Sequence, residues 1–421
     1  MRPRHVQPAQ PDQGPSRDSR LGRPSMSRCA LCEAPITAEN DSEEHLIPNA
    51  LGGRRKVSGF LCRGCNSATG DSWDAKLAEQ LLPLCLLLDI SSERGDPPGL
   101  RVVTTAGERL TIRPKGTLVR SAPVFARTTL DCGKAQYRIE PRTMDEGRQI
   151  LTDLKRKHPE IDVDATLAAA QMVEMYPRGA VGHDLSIGGE LAGRSMVKSV
   201  LAWAFANGVD RATCEVALRY LRDKGAPPCF GYYHDTDLIQ GRPVGVPLHC
   251  VSVEADAATG LILGYGEYFG FHRFVCLLGK GYRGPAIMGT YAIDPRTGAE
   301  LDLHVRIPFS RTDIDDIYAY RRTKLEDMKR AADAILGPAM QARMEAEQKR
   351  VVSQAVDEAF ASCGAKPGEE LTAEQKRKLA LVAAQKVTPF FLHRMRGLPS
   401  DALERAAVIL NRMGIPESVG F

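Results

Sequence analysis

Short apolar runs alternate with longer helical repeats in the first half of the chain. Three strand-length runs between residues 100 and 120 are separated by glycine- and proline-containing breaks, which predicts three short strands. Residues 195–207 place apolar side chains on one helical face and are followed by Gly208, a residue typical of helix ends. The helices predicted in this region are 143–157, 164–176, 195–207 and 211–224.

From residue 248 to residue 308 the apolar runs are again of strand length and are divided by glycine-rich turn signals. This spacing predicts an antiparallel sheet of about five strands. The predicted strands are 248–253, 261–268, 273–278, 286–293 and 301–307.

After residue 308 the apolar spacing is helical to the end of the chain, and Thr372 and Gln375 form a capping-box pattern. The fold class is therefore predicted to be α+β, with a central antiparallel sheet, accompanying helices and a C-terminal helical region. The helices predicted in that last region are 313–336, 339–361, one from 372 onward and 400–413.

Composition changes this picture mainly through the distribution of charge. The 421 residues carry a formal net charge of +4, but residues 1–28 hold six arginines against two aspartates. That leaves 50 of the 56 basic and 50 of the 52 acidic side chains for the rest, which is therefore neutral. A neutral body argues against a uniformly basic coat protein for DNA. The apolar share of 43% is typical of globular proteins.

The arginine- and proline-rich arm, residues 1–26, has too few apolar residues to fold and is predicted to be disordered. It either assists DNA binding electrostatically or is a dispensable tail, and translation starting at Met26 is an alternative to Met1. The arm has no apolar core typical of a secretory signal, and the apolar stretch 81–88 is too short to span a membrane. We expect no membrane partner and a cytoplasmic, nucleoid-associated protein.

Four of the eleven cysteines form two Cys-x2-Cys pairs, and the others are scattered singly, as expected in a reducing compartment. Two such pairs can bring four thiolates to within about 2.3 Å of one tetrahedral Zn²⁺. A structural zinc site is therefore predicted. Its ligands are Cys29, Cys32, Cys62 and Cys65.

The segment between the two cysteine pairs contains Glu44 and His45 on a short apolar strand, followed by a proline- and glycine-rich turn. Asn66 comes directly after the last cysteine, and residues 71–82 have helical spacing. The expected order is strand, loop, strand and helix, stapled by zinc at the base. Such a staple would bring Glu44, His45 and Asn66 close together.

This order of motifs (Cys-x2-Cys, Glu-His-x-Ile-Pro, Gly-Gly, Cys-x2-Cys-Asn) resembles the zinc-stapled HNH endonucleases, which have the ββα-metal fold. The resemblance covers residues 27–80. It implies that His45 is the general base that activates water, and that Glu44 and Asn66 hold a catalytic Mg²⁺ or Mn²⁺. Val57 stands where the family often has a middle Asn that orients the histidine, and Asn49 is the only Asn in the loop.

The residue types agree with phosphodiester hydrolysis. An imidazole can accept a proton near neutral pH, and carboxylate and amide oxygens suit a hard cation. The basic residues of the module are candidates to clamp the DNA backbone. They are Arg54, Arg55, Lys56 and Arg63.

The sequence thus predicts a metal-dependent DNA endonuclease that leaves 5′-phosphate ends, with a role in defence or in a mobile element. The alternative is a non-catalytic zinc-finger protein that binds nucleic acid. The C-terminal helices are candidates for a homo-oligomer interface. The predicted divisions of the chain are the arm 1–26, the module 27–82, an α+β domain 83–310 of unknown role and the helical region 311–421.

Overall fold

The computed structural model describes residues 28–133, 135–170, 176–183, 185–366 and 368–395. The predictions for the arm 1–26 and for the helix 400–413 lie outside these ranges. Within them, helices and strands are mixed as the α+β prediction requires. No helix in the described ranges is long and apolar enough to cross a membrane.

The N-terminal module has the predicted order of strand, loop, strand and helix. Its two strands are antiparallel, with Glu44 opposite Val57 and His45 opposite Lys56. Between its two helices runs a five-residue π-helical stretch, Gly70–Asp74. The elements are β1 (Glu44–His45), β2 (Lys56–Val57), α1 (Arg63–Thr69) and α2 (Ala75–Leu87).

Two small antiparallel sheets and two helices follow. The three strands predicted between residues 100 and 120 are present and form one sheet, and a two-stranded hairpin comes after it. Of the helix predicted over 164–176, the structure has a helix that ends at Ala168, and residues 171–175 lie outside the described ranges. The elements are β3 (Leu100–Val103), β4 (Arg109–Ile112), β5 (Leu118–Arg120), β6 (Val124–Thr129), β7 (Ala135–Glu140), α3 (Met144–Lys155) and α4 (Val163–Ala168).

The helices predicted over 195–207 and 211–224 correspond to α5 (Gly189–Ala206) and α6 (Glu215–Arg222). Helix α5 lies on the central sheet, and almost all of it is buried. Its approach to the sheet is close: a Cβ at Gly264 would lie 2.1 Å from a methyl group of Val200. Any larger residue at Gly264 would therefore push the helix away from the sheet.

The central sheet is antiparallel, as predicted, but has six strands in the order β14-β13-β10-β11-β12-β8. The predicted fifth strand, 301–307, is wrong as a single element. Its first part joins the sheet edge, and after Leu301 the chain turns to pair with another short strand, β9. The strands are β8 (Phe230–Tyr232), β9 (Ile239–Gln240), β10 (His249–Asp256), β11 (Leu261–Tyr268), β12 (His272–Lys280), β13 (Ile287–Asp294), β14 (Ala299–Leu301) and β15 (His304–Val305).

The C-terminal region is helical, as predicted, but its breaks differ from those expected. The predicted helix 313–336 is interrupted between Tyr318 and Leu325, and the expected break near Pro338 does not occur. The helix continues because Ile335 and Ala339, on either side of the proline, pack on the core, which offsets the cost of about 3 kcal/mol of an interior proline. The predicted Thr372–Gln375 capping box is confirmed. The helices are α7 (Arg311–Tyr318), α8 (Leu325–Cys363) and α9 (Ala373–Met395), with α9 packed on α8.

One hydrophobic core runs through the N-terminal module and the central sheet. Leu46, Leu51 and Phe60 of the module belong to the same contiguous cluster of buried side chains as Val200 of α5 and Leu278 of β12. The module is thereby packed on the rest of the chain, and its polar side chains face elements far away in sequence.

Candidate functional site

The four cysteines of the two Cys-x2-Cys pairs converge. Their sulfur atoms all lie within 4.8 Å of one another, and the Sγ atoms of Cys32 and Cys62 are 3.7 Å apart. Sulfurs that are each about 2.3 Å from one tetrahedral zinc ion lie about 3.8 Å from each other. The arrangement therefore fits Zn²⁺. Among the described residues, no other group of three or more His, Cys, Asp or Glu side chains is close enough to hold a metal ion.

The thiols of the cluster differ in pKa: that of Cys29 is lowered, whereas those of Cys32 and Cys65 are raised. Burial raises the pKa of the Cys29 thiol, but backbone amides of Cys62, Cys32 and Leu31 donate to the sulfur, and together with the neighbouring thiol they lower the pKa to about 7. A thiolate is the form that binds zinc.

Two arginines, one at the end of α6 and one shortly before it, hold the loop that carries Cys29 and Cys32. Arg222 donates to the carbonyl oxygen of Ala30 at 2.9 Å and pairs with Glu33 at 2.6 Å. Arg211 donates to the carbonyl oxygen of Arg28 at 2.5 Å. The loop that carries Cys29 and Cys32 is thus docked on the body of the protein.

The structure separates Glu44 from His45. Successive side chains of a strand point to opposite faces, and these two residues occupy consecutive positions of β1. Glu44 is buried, with 2% of its surface exposed, whereas His45 is partly exposed. The two predicted site residues therefore have different surroundings although they are neighbours in the chain.

Glu44 belongs to a buried ionic cluster. Its carboxylate is 2.5 Å from the ammonium nitrogen of Lys198 on α5, and Asp74 lies 2.6 Å from the same nitrogen. The hydroxyl of Ser195 donates to Asp74 at 2.5 Å. Burial would lower the pKa of Lys198, but the two carboxylates raise it, so the ammonium form is retained. Burial raises the pKa of Glu44, and Lys198 opposes that rise.

His45 faces a different carboxylate. Its Nε2 atom is 2.9 Å from Oε2 of Glu93, and the ammonium of Lys56 lies 3.5 Å from the same oxygen. The backbone N–H of Glu93 donates to the side-chain oxygen of Asn49 at 3.0 Å. The hydrogen bond from His45, together with Lys56, lowers the pKa of Glu93. The imidazole is thus held at the module surface with its Nδ1 atom free of described partners.

Asn66 lies in the first turn of α1, where its backbone N–H donates to the carbonyl oxygen of Cys62. Its side chain is partly exposed and makes no hydrogen bond to any residue that the structure describes. The Asn66 amide is therefore open to a ligand, whereas the Glu44 carboxylate is bound to Lys198. The pair expected to hold Mg²⁺ does not form a ready cation site in this arrangement.

The four residues predicted to clamp the DNA backbone differ in how far contacts with the rest of the chain engage them. Arg54 donates to the carbonyl oxygen of Ser91, and Arg55 pairs with Glu300 at 3.0 Å while lying over the rings of Trp203 and Tyr291. These two arginines are used in contacts with the rest of the chain.

Of the other two clamp candidates, Lys56 lies 3.5 Å from the carboxylate of Glu93. Lys56 and Arg63 are exposed. They are the members of the predicted clamp that remain accessible to a nucleic acid backbone.

Three residues of these contacts, Lys198, Asp74 and Glu93, are not among the site residues predicted from the sequence. Lys198 carried a readable signal, because it lies three positions before Leu201 on the apolar face of a predicted helix, where an unpaired charge is costly. Asp74 had the pattern of a helix-start residue, and Glu93 lies in a polar bend without any motif.

Residues 29–82 match the family model described as HNH endonuclease. The part of the chain that carries the cysteine cluster, β1, β2, α1 and most of α2 is therefore similar to HNH endonucleases, in agreement with the resemblance inferred from the motifs. Residues 1–28 and 83–421 are unrecognised. No curated protein and no solved structure matches the chain.

Proposed function

We propose that the protein is an HNH endonuclease that hydrolyses phosphodiester bonds in DNA, with His45 as the general base. The observation that carries the proposal is the family match over residues 29–82, which includes the cysteine cluster and the partly exposed His45. An HNH module implies a nucleic acid substrate. The choice of DNA, and a role in defence or in a mobile element, are predictions from the sequence.

In the proposed reaction, Nδ1 of His45 accepts a proton from a water molecule, whose oxygen attacks the phosphorus atom. The bond to the 3′-oxygen breaks, the leaving oxygen takes a proton from solvent, and a 5′-phosphate end remains. Nε2 is already engaged by Glu93, so Nδ1 is the nitrogen available for this step. Lys56 and Arg63 are exposed and suited to contact the phosphate backbone.

The family resemblance also implies Mg²⁺ or Mn²⁺ at Glu44 and Asn66, in addition to structural zinc at the four cysteines. Binding of a divalent cation by Glu44 requires the ammonium of Lys198 to leave the carboxylate. This requirement favours a second candidate function, a zinc-stapled nucleic acid-binding protein without catalysis.

Nicking of supercoiled plasmid in the presence of Mg²⁺ or Mn²⁺ separates the two candidates. We expect nicking by the wild type and a loss of about 10²- to 10⁴-fold in His45→Ala, the usual contribution of a general base. The matched control is His304→Ala, since His304 is exposed on β15 outside the HNH match. Binding without nicking by the wild type would favour the second candidate, and nicking that persists in His45→Ala would exclude His45 as the base.

A further inference from the structure

We propose that Glu93, a residue outside the HNH match, is the positioning residue that orients the imidazole of His45 for water activation. The proposal rests on the proposed function, because it concerns the same base. Its geometric basis is the 2.9 Å contact between Nε2 of His45 and Oε2 of Glu93. A carboxylate can only accept a hydrogen bond there, so it fixes the proton on Nε2 and leaves the lone pair on Nδ1.

The backbone around Glu93 is held by several hydrogen bonds. Glu93 lies in a tight bend in which Ser92 and Gly95 exchange backbone hydrogen bonds of 2.9 and 3.2 Å. Gly95 has a φ of +116°, a conformation that favours glycine. The hydroxyl of Ser92 also accepts a hydrogen bond from the N–H of Arg94 at 3.1 Å. A bend with this many internal bonds can hold a side chain in one direction.

Asn49 ties this bend to the module. Its side-chain oxygen accepts the backbone N–H of Glu93 at 3.0 Å, and Asn49 follows the His45 strand after a short turn. Asn49 therefore supports the base indirectly, by fixing the residue whose carboxylate contacts the imidazole. The contact accounts for a departure noted in the sequence: the position of the expected middle Asn holds Val57, which pairs with Glu44 in the hairpin.

A simpler reading is that Glu93 forms an ordinary surface ion pair with Lys56, 3.5 Å away. Exposed pairs of that kind contribute little to stability, and removing such a pair would leave the histidine unaffected. The two readings differ in what happens to the ring of His45. If Glu93 only pairs with Lys56, the ring of His45 keeps the same tautomer after the Glu93 carboxylate is removed.

The test uses the full-length protein with ¹⁵N-labelled histidine, and records the ring nitrogens of His45 at one neutral pH. The resonances are assigned with His45→Gln. We expect the wild type to show the proton on Nε2, Glu93→Ala to show a mixture of tautomers, and Glu93→Gln to resemble the wild type, since its amide oxygen also accepts a hydrogen bond. Glu79→Ala, which removes another exposed carboxylate, is the matched control and should change nothing.

Plasmid nicking by the same variants completes the test. We expect kcat to fall about 10- to 100-fold in Glu93→Ala with little change in KM, and to recover in Glu93→Gln, as for residues that orient a reacting group. An unchanged ring tautomer in Glu93→Ala overturns the proposal, and so does a changed tautomer with unchanged kcat. If the wild type does not nick DNA, the proposed function fails, whereas the ring spectrum still decides whether Glu93 orients His45.

Discussion

Two adjacent residues, Glu44 and His45, meet opposite chemical surroundings because β1 turns their side chains to opposite faces. His45 lies at the surface beside Glu93, and Glu44 lies inside beside Lys198. A buried charge that loses its partner typically costs 3–5 kcal/mol. Lys198 is therefore a strong competitor for any other cation at Glu44.

The competition gives a prediction for cation binding. In the zinc-loaded full chain, Glu44→Gln should bind Mn²⁺ as the wild type does, because the Glu44 carboxylate is already compensated. Lys198→Met should bind Mn²⁺ at least about 10-fold more tightly, which corresponds to about 1.4 kcal/mol. Titration followed by electron paramagnetic resonance of free Mn²⁺ measures both affinities.

The double variant Glu44→Gln/Lys198→Met is the control, and it should lose the gain. A wild-type Mn²⁺ site that disappears in Glu44→Gln would contradict the prediction, and would support the cation site that the family resemblance implies. This outcome can be read even if Lys198→Met folds poorly.

At the scale of elements, the cysteine cluster joins a loop to the start of a helix. Cys29 and Cys32 lie in the loop, and Cys62 and Cys65 flank the first residues of α1. The backbone N–H of Ala30 also donates to the carbonyl oxygen of Phe60 at 2.9 Å, so a backbone hydrogen bond also links the two segments that carry the cysteine pairs. Zinc should strengthen an arrangement that the backbone already favours.

Removal of one thiolate tests this role. Cys29→Ser should lose most of the bound zinc and melt at a lower temperature, since metal binding contributes about 10 kcal/mol in small structural sites. Cys214→Ser is the control, because Cys214 is equally buried but lies outside the cluster. Zinc content by mass spectrometry and thermal unfolding measure the effects. Equal zinc content in the two variants would contradict the assignment of Cys29 as a ligand.

Elements that depend on local spacing were predictable, and contacts between distant elements were not. The hairpin, the cysteine cluster and four central strands follow from the period of apolar residues and from the Cys-x2-Cys spacing. The partners of the site residues do not follow from such local patterns. Lys198 reaches Glu44 from α5, and Glu93 reaches His45 from a bend after α2. Such contacts depend on how α5 and the bend pack against the module, and the sequence pattern contains no record of that packing.

At the scale of the whole molecule, the HNH module depends on the rest of the chain. His249 of β10 accepts a backbone N–H at Nδ1 and donates from Nε2 to the carbonyl oxygen of Leu51 at 2.8 Å. Burial lowers the pKa of His249 to about 4, so it is neutral near pH 7, as this pair of bonds requires. The ring of Phe60 also packs against Phe205 of α5 at 5.6 Å.

The packing of the module on the rest of the chain also limits which of its basic residues are available to contact DNA. Arg55 lies over aromatic rings of the body and pairs with Glu300, so its guanidinium is engaged within the chain although its side chain is 39% exposed. The body is neutral overall, so it adds little non-specific attraction. Target recognition is therefore expected to depend on a few exposed residues such as Lys56 and Arg63.

A fragment of residues 28–90 contains all of the residues that match the HNH model and the whole of α2. We expect the fragment to bind zinc, because all four cysteines are local, but not to unfold cooperatively or to nick DNA. Without α5 and the sheet, Phe60 and Leu51 are exposed to water and Glu44 has no ammonium partner. Hydrogen exchange and thermal unfolding, with the zinc-loaded full chain as control, measure the difference. A fragment that melts cooperatively and nicks plasmid at the full-chain rate would mean that the module folds and acts alone, and that the buried contacts with α5 and β10 are not needed for the site.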